Sequence, residues 1–282
     1  MMKPPFVVQS LVFKTVLFCL IIFFFACSND DLKDEIENGI VEAESLPELP
    51  EESETTPAED PMPEAPVPDT GDNLPCSPDN QLILERDGLI VFEIENDSFK
   101  DQWAIENSLS DASGDGYVLW TGDQFLGSPG TGLVRYNLQI DNPGTYQFIW
   151  HSAVAIGNSG TDHNDTWLRF PDAHDFYAQK EASIVYPKGS GKSPNPEGGG
   201  ADGWFKVYRS GNNLGFKWQA STYVNNAHEI FVNFDSPGIY TMEISARSSG
   251  HAIDKVMLYS TSFTQNSALE NAQDLSAIGC KE

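Results

Sequence analysis

Basic residues are scarce: 16 lysines and arginines stand against 42 aspartates and glutamates in 282 residues, a formal charge of −26. That balance excludes a nucleic-acid binder, which needs a basic face to neutralise phosphates. Long apolar runs are scarce as well. The conspicuous one, residues 16–26, falls short of the roughly 20 residues a membrane-spanning helix requires. No segment keeps a helical stripe for long, so a helical domain is not expected. Neither a Gly-x-Ser-x-Gly elbow nor a His-Glu-x-x-His helix occurs, and the glycines after Lys188 lack the strand and helix that flank a phosphate loop. Serine hydrolase, zinc-protease and nucleotide chemistry have no motif here.

What is present divides into three segments. Residues 1–26 carry Lys3 and Lys14 ahead of the apolar run and no acid, the layout of a signal peptide. Ala26 directly before Cys27 resembles the lipobox of bacterial lipoproteins, whose cysteine is acylated and becomes the new N-terminus; Phe24 and Phe25 depart from that pattern, and an ordinary cleaved signal is the alternative. Ser28-Asn29-Asp30-Asp31 resembles the acidic export signal of surface lipoproteins in polysaccharide-foraging Gram-negative bacteria. That resemblance implies an outer-membrane lipoprotein exposed at the cell surface. Residues 27–80 hold nine prolines and 17 acids against one lysine, with almost no aromatic residues. Such a segment cannot bury enough surface to offset its ordering entropy, and an extended acidic stalk is expected.

With Cys19 inside the signal and Cys27 acylated, Cys76 and Cys280 remain. In an oxidising exported compartment they are expected to form a disulfide, the alternative being two free thiols.

From residue 81 to 282 the pattern is that of strands. Val134, Tyr136, Leu138 and Ile140 alternate with Arg135, Asn137 and Gln139, and further runs rich in aromatic and β-branched residues follow up to Ile253–Tyr259. An all-β, antiparallel β-sandwich of the jelly-roll type is expected. Asp141-Asn142-Pro143-Gly144-Thr145-Tyr146 and Asp235-Ser236-Pro237-Gly238-Ile239-Tyr240 repeat one turn motif, and both read as hairpins.

Val91-Phe92-Glu93-Ile94-Glu95, the two turns, and the closing Arg247–Leu258 segment together resemble the β-jelly-roll carbohydrate-binding modules related to families 6 and 35 and to malectin-like domains, over about residues 85–260. The resemblance implies non-catalytic binding of a polysaccharide or oligosaccharide, and a structural calcium held by residues matching Glu93, Glu95 and Asp254. Strand alternation would put Glu93 and Glu95 on one face, where two like charges call for a cation; a solvated glutamate at a strand edge is the plain alternative. Partner proteins of a glycan-uptake system would fit the same setting.

A sugar site needs an aromatic plate and polar side chains that read hydroxyls. His163, Asn164, Asp165, Trp167 and Arg169 form the densest such cluster, although Trp167 could be core and Asn164-Asp165 a turn. Trp204, at the end of a long Gly-rich segment, is a second candidate plate, with Arg247 and His251 as further readers. Residues 180–217 carry six basic side chains against three acids, a docking edge for an anionic polysaccharide or merely solubilising lysines. Two other functions stay open: a jelly-roll lyase or glycosidase, for which Tyr177, His174 and Arg169 could serve, and a structural or protein-docking lipoprotein.

Overall fold

The computed structural model describes residues 76–96, 99–272 and 274–281. The expected signal peptide, Cys27 and the stalk up to residue 75 lie outside the described residues. Among those described, no helix is long and apolar enough to cross a membrane.

Two sheets face each other. The seven-stranded sheet runs, in spatial order, Gly200–Ala201, Trp204–Tyr208, Asp165–Arg169, Gly238–Ser245, Val134–Ile140, Gln81–Leu84 and Ile278–Cys280. The nine-stranded sheet runs Trp103–Glu106, Tyr117–Trp120, His251–Ser260, Gly144–Val154, Glu229–Phe234, Asp175–Lys180 and Ser183–Val185. Its other two members are Lys217–Trp218, paired with Gly144–Val154, and Leu89–Glu93, paired with His251–Ser260. The β-sandwich expected from period-2 alternation is therefore the fold. Val134, Tyr136, Leu138 and Ile140 do point inward, against Phe148, Trp150, Phe205, Phe234 and Ile244. One pairing departs from the antiparallel rule, since Gln81–Leu84 lies parallel to Val134–Ile140.

The two Asp-x-Pro-Gly turns are not hairpins. Val134–Ile140 belongs to one sheet and Gly144–Val154 to the other; Glu229–Phe234 and Gly238–Ser245 are divided the same way. Each turn is thus a corner carrying the chain across the core. The corners stack, because Gly238 pairs with Ile140 and Phe234 with Gly144. The physical reason lies in hydrogen bonds that leave the local ladder. The hydroxyl of Tyr146 donates to the carbonyl of Asn142 (2.6 Å), and that of Tyr240 donates to the carbonyl of Ser236 (2.8 Å), so each tyrosine ties the return strand back to the residue before the proline. At the first corner the amides of Asp141 and Asn142 donate to the carboxylate of Glu85 rather than to a facing strand. Proline has no amide to close a ladder with, which favours this outcome.

Among the described residues one α-helix, Gln265–Asn271, also departs from expectation. It is about two turns long, too short to show a stripe, and starts at Thr264, whose side chain accepts from the amide of Ser267. The disulfide joins Cys76 to Cys280 with Cα atoms 5.7 Å apart, as the cysteine count suggested.

Candidate functional site

Glu93 is the last residue of the Leu89–Glu93 strand, which pairs it with Lys255. Strand alternation does not bring Glu95 beside it, because the strand stops there and Ile94–Asn96 winds into a 3₁₀ turn. The turn brings Glu95 round instead. Asp254 is the extra residue of a β-bulge, since Ile253 pairs with Ser152 and Lys255 with His151, leaving Asp254 unpaired and its side chain re-aimed. The three buried carboxylates offer oxygens within 4.8 Å of one another.

Their partners neutralise them only in part. Lys255 Nζ stands 3.1 Å from Glu93 Oε1, and His151 Nδ1 lies 2.6 Å from Asp254 Oδ2. The amide of Ser113 donates to Asp254 Oδ1 (2.9 Å) and that of Asp115 to Glu95 Oε1 (3.2 Å). Glu95 Oε2 is buried with no partner. Burial, reinforced by the Glu93 and Asp254 charges, pushes the Glu95 carboxyl up to about 7, and burial raises Glu93 as well. Gly114, at φ +57°, lets the 113–115 loop come this close: a Cβ there would sit 2.5 Å from Glu95 Oε1. Hard oxygen donors, excess negative charge and an orphaned oxygen are what a calcium ion requires. The residues fit that ion.

A second feature lies on the outward face of the seven-stranded sheet. Inward Phe205, Val207 and Leu168 leave Lys206 and Trp167 pointing out as register partners, with Ser245 beside Trp167. The segment after Tyr186 folds back against this face, pinned by hydrogen bonds from the amide of Gly203 to the carbonyl of Lys188 and from the amide of Lys206 to that of Gly199. Gly189 takes φ +85°, and a Cβ on it would meet Asp202 Cα at 2.9 Å, so only glycine lets the segment pass. Between segment and sheet is an open cleft of about 540 Å³, lined by Trp167, Lys188, Glu197, Asp202, Lys206 and Arg247 among others. Lys206 is also a wall of a second open cleft, about 380 Å³, with Asn164, Asp165, Tyr208, Ser210 and Asn225. Burial and the Arg247 charge lower the basicity of Lys206, which forms no ion pair among the described residues. Its ammonium lies 5.5 Å from the centre of the Tyr208 ring, so an acceptor-rich ligand would find there a donor engaged by a ring face and not by an acid.

Four of the expected ligand residues, Asn164, Asp165, Trp167 and Arg247, thus line these adjoining clefts. The rest are elsewhere. His163 holds Ser249 through its Nδ1, 2.8 Å from the carbonyl. Arg169 donates to Glu243, which also accepts from Arg135 at 2.7 Å. Neither tryptophan offers a free plate: Trp167 and Trp204 are 2% and 3% exposed. The guanidinium of Arg169 covers the Trp204 ring at 4.3 Å, and that of Arg247 covers Trp167 at 5.0 Å. A tryptophan on an outward strand position becomes buried when a neighbouring arginine stacks on it. His251 is 1% exposed and points inward to Thr166 Oγ1, 2.8 Å away, which removes it from any saccharide's reach. Of the residues considered for lyase chemistry, Arg169 and His174 line one cleft, whereas Tyr177 stands on the other sheet, stacked on Phe231. Sequence reasoning missed Lys206 and Tyr208 as site residues individually; their place opposite Trp167 and Asp165 was the available signal.

No family model matches the chain, and no curated protein sequence matches it. Solved structures similar to it include a carbohydrate-binding module, Xyl-CBM35 in complex with a glucuronic acid containing disaccharide (TM-score 0.35, 11% identity, covering 68% of this chain and 98% of that one). Another is the GH26-CBM35 β-(1,4)-mannanase of Podospora anserina (TM-score 0.38, 16% identity, 62% of this chain and 28% of that one). A third is the isomalto-dextranase of Arthrobacter globiformis T6 complexed with panose (TM-score 0.34, 14% identity, 61% and 23%). The chain spans about a quarter of the length of each of those two enzymes.

Proposed function

We propose that residues 76–281 form a non-catalytic glycan-binding module. The observation that carries this is the pair of open, polar clefts sharing Lys206 on the outward face of the seven-stranded sheet. The first is lined by charged side chains and glycines and the second by charged, amide and hydroxyl side chains, each with apolar edges, which suits a hydrated, hydroxyl-rich chain laid across a surface better than a small apolar molecule in a closed pocket. Lys188 is paired with Glu197 and Arg247 with Asp165, which leaves Lys206 as the cation of these clefts without an ion pair among the described residues, and an acidic polysaccharide offering it a carboxylate is the favoured ligand.

In this reading a calcium ion is held by Glu93, Glu95 and Asp254 and acts on stability. Bound there, it would supply the positive charge that Lys255 provides only in part. The same reading makes the chain a lipoprotein anchored through Cys27 and displayed at the cell surface by its acidic stalk, where it would meet large glycans and pass them to partner proteins.

The test is affinity electrophoresis of the domain through gels containing neutral or uronate-rich polysaccharides. Retardation by the uronate-rich set, weakened by salt and by Lys206→Ala, is expected. Absence of retardation by every polysaccharide would overturn the proposal, as would the release of new reducing ends or unsaturated uronates.

A further inference from the structure

Phe205 and Val207 point into the core, and the same alternation sends Arg209 inward, where it is 0% exposed. A guanidinium keeps its proton in any protein environment. Burying it without a counter-charge costs several kcal/mol, so such groups are found paired. Arg209 is not: no carboxylate contacts it among the described residues. Its Nη2 donates to the carbonyl of Asn213, while Nε and Nη1 have no partner.

The neighbours make the imbalance worse. Lys217 is the register partner of Ser152 and turns its ammonium to the carbonyl of Ser210; burial first, and the Arg209 charge second, lower its basicity. Trp150 and Ser152, two apart on one strand, are both 0% exposed, and Trp150 Nε1 and Ser152 Oγ are buried without partners. The Trp150 and His251 rings are 5.0 Å apart, and His251 Nε2 is the fifth orphaned atom of the group. The Thr166 hydroxyl lies 2.8 Å from Nδ1, and in the tautomer in which that hydroxyl donates, His251 Nε2 carries the ring proton. Burial and the Arg209 charge hold this histidine neutral, its pKa lowered to about 3. Buried Arg209, part-buried Lys217 and the orphaned polar atoms of Trp150, Ser152 and His251 are therefore neighbours, and among the described residues no carboxylate pairs with either cation.

We propose that this interior end of the sandwich is a binding site for a small monovalent anion of the halide class, chloride in the first instance, held by Arg209 with Trp150, Ser152 and His251. Water could accept the hydrogen bonds but brings no negative charge. A carboxylate or sulfate carried on a polymer is shut out by the near-complete burial of every donor. The proposal is independent of the glycan reading, because the anion occupies the core and not the clefts.

Crystals of the wild-type domain grown in bromide should show an anomalous peak within hydrogen-bonding distance of Arg209 and Trp150 Nε1. Melting in chloride or bromide, compared with gluconate at equal ionic strength, should rise with halide concentration, by roughly 5–10 °C at a hundred times Kd. Arg209→Met should lose that dependence, and Ser152→Ala should weaken it. Should Arg209→Met fail to fold, the bromide map and the Ser152→Ala titration still decide the matter. Bromide density absent from the site, water alone in it, or a halide response surviving in Arg209→Met would each overturn the proposal.

Discussion

The interior holds two unbalanced charge clusters of opposite sign, and they are built differently. Glu93, Glu95 and Asp254 converge from a strand end, a 3₁₀ turn and a bulge, the three places where a sheet gives up its regular ladder, and each has some polar or basic neighbour. Arg209 sits on a continuation of regular strand alternation, among aromatic rings and hydroxyls, and forms no ion pair among the described residues. The difference shows two ways of storing charge. The acidic cluster is reached from a loop whose glycine makes room for it, while the basic one is sealed behind the packed face of the core.

The most consequential way to break this comparison is to remove the acidic side. With calcium, wild-type protein should melt higher than in chelator, the gain reaching about 3 kcal/mol at a hundredfold excess over Kd. Glu95→Gln should abolish that gain, yet equal or exceed wild type in chelator, because it removes a like charge from a crowded group. Calorimetry with and without chelator checks both signs; an identical response of the two proteins would refute the cluster's role.

On the basic side, pH is the sharper instrument. The folded His251 has a pKa lowered to about 3, below its ordinary 6.5. As pH falls below 6.5, the unfolded chain takes up a proton that the folded one refuses, so stability declines on acidification. The contribution is on the order of 2 kcal/mol by pH 5. His251→Gln should melt with a shallower pH dependence between 6.5 and 4, and an unchanged slope would count against the assignment.

A third substitution separates buried charge from charge in an open cleft. Lys206→Ala should weaken glycan retention roughly tenfold while leaving the melting temperature within a degree or two; a lost fold would show that Lys206 belongs to the core. The smallest effect concerns a buried charge that is already well paired. Arg169→Lys keeps the charge beside Glu243 but loses the planar cover over Trp204, and unfolding by urea should show a cost of about 1 kcal/mol.

How much of this could be read from the chain differs by region. The strands of the sandwich were legible because Val134 to Ile140 and their like alternate without interruption, and the disulfide because two cysteines remained. The acidic trio was legible through resemblance, although the reason given for its convergence, strand alternation, is replaced by the turn and the bulge. The Asp-x-Pro-Gly corners were misread because a local turn signal says that the chain reverses and not which sheet receives it; the deciding partners, Glu85 and the two tyrosine hydroxyls, act across distance or along the return strand. Trp167 and Trp204 were misread for a related reason: what covers them, Arg247 and Arg169, lies on or beyond neighbouring strands. Arg209 was another missed signal within reach, since the step from Phe205 to Val207 to Arg209 already pointed it inward.

The bond between Cys76 and Cys280 has a mechanical meaning. Cys280 lies on the edge strand, in register with Gln81, and Gln81–Leu84 is held between that strand and Val134–Ile140. A pull applied at Cys76 therefore divides between two routes, one through Pro78–Asn80 into the inner strand and one through the sulfurs into the outer strand. Neither strand then carries that load alone. Were the module tethered and bound to a polymer as proposed, that shared load would slow forced unfolding, whose rate the barrier and not the equilibrium stability sets.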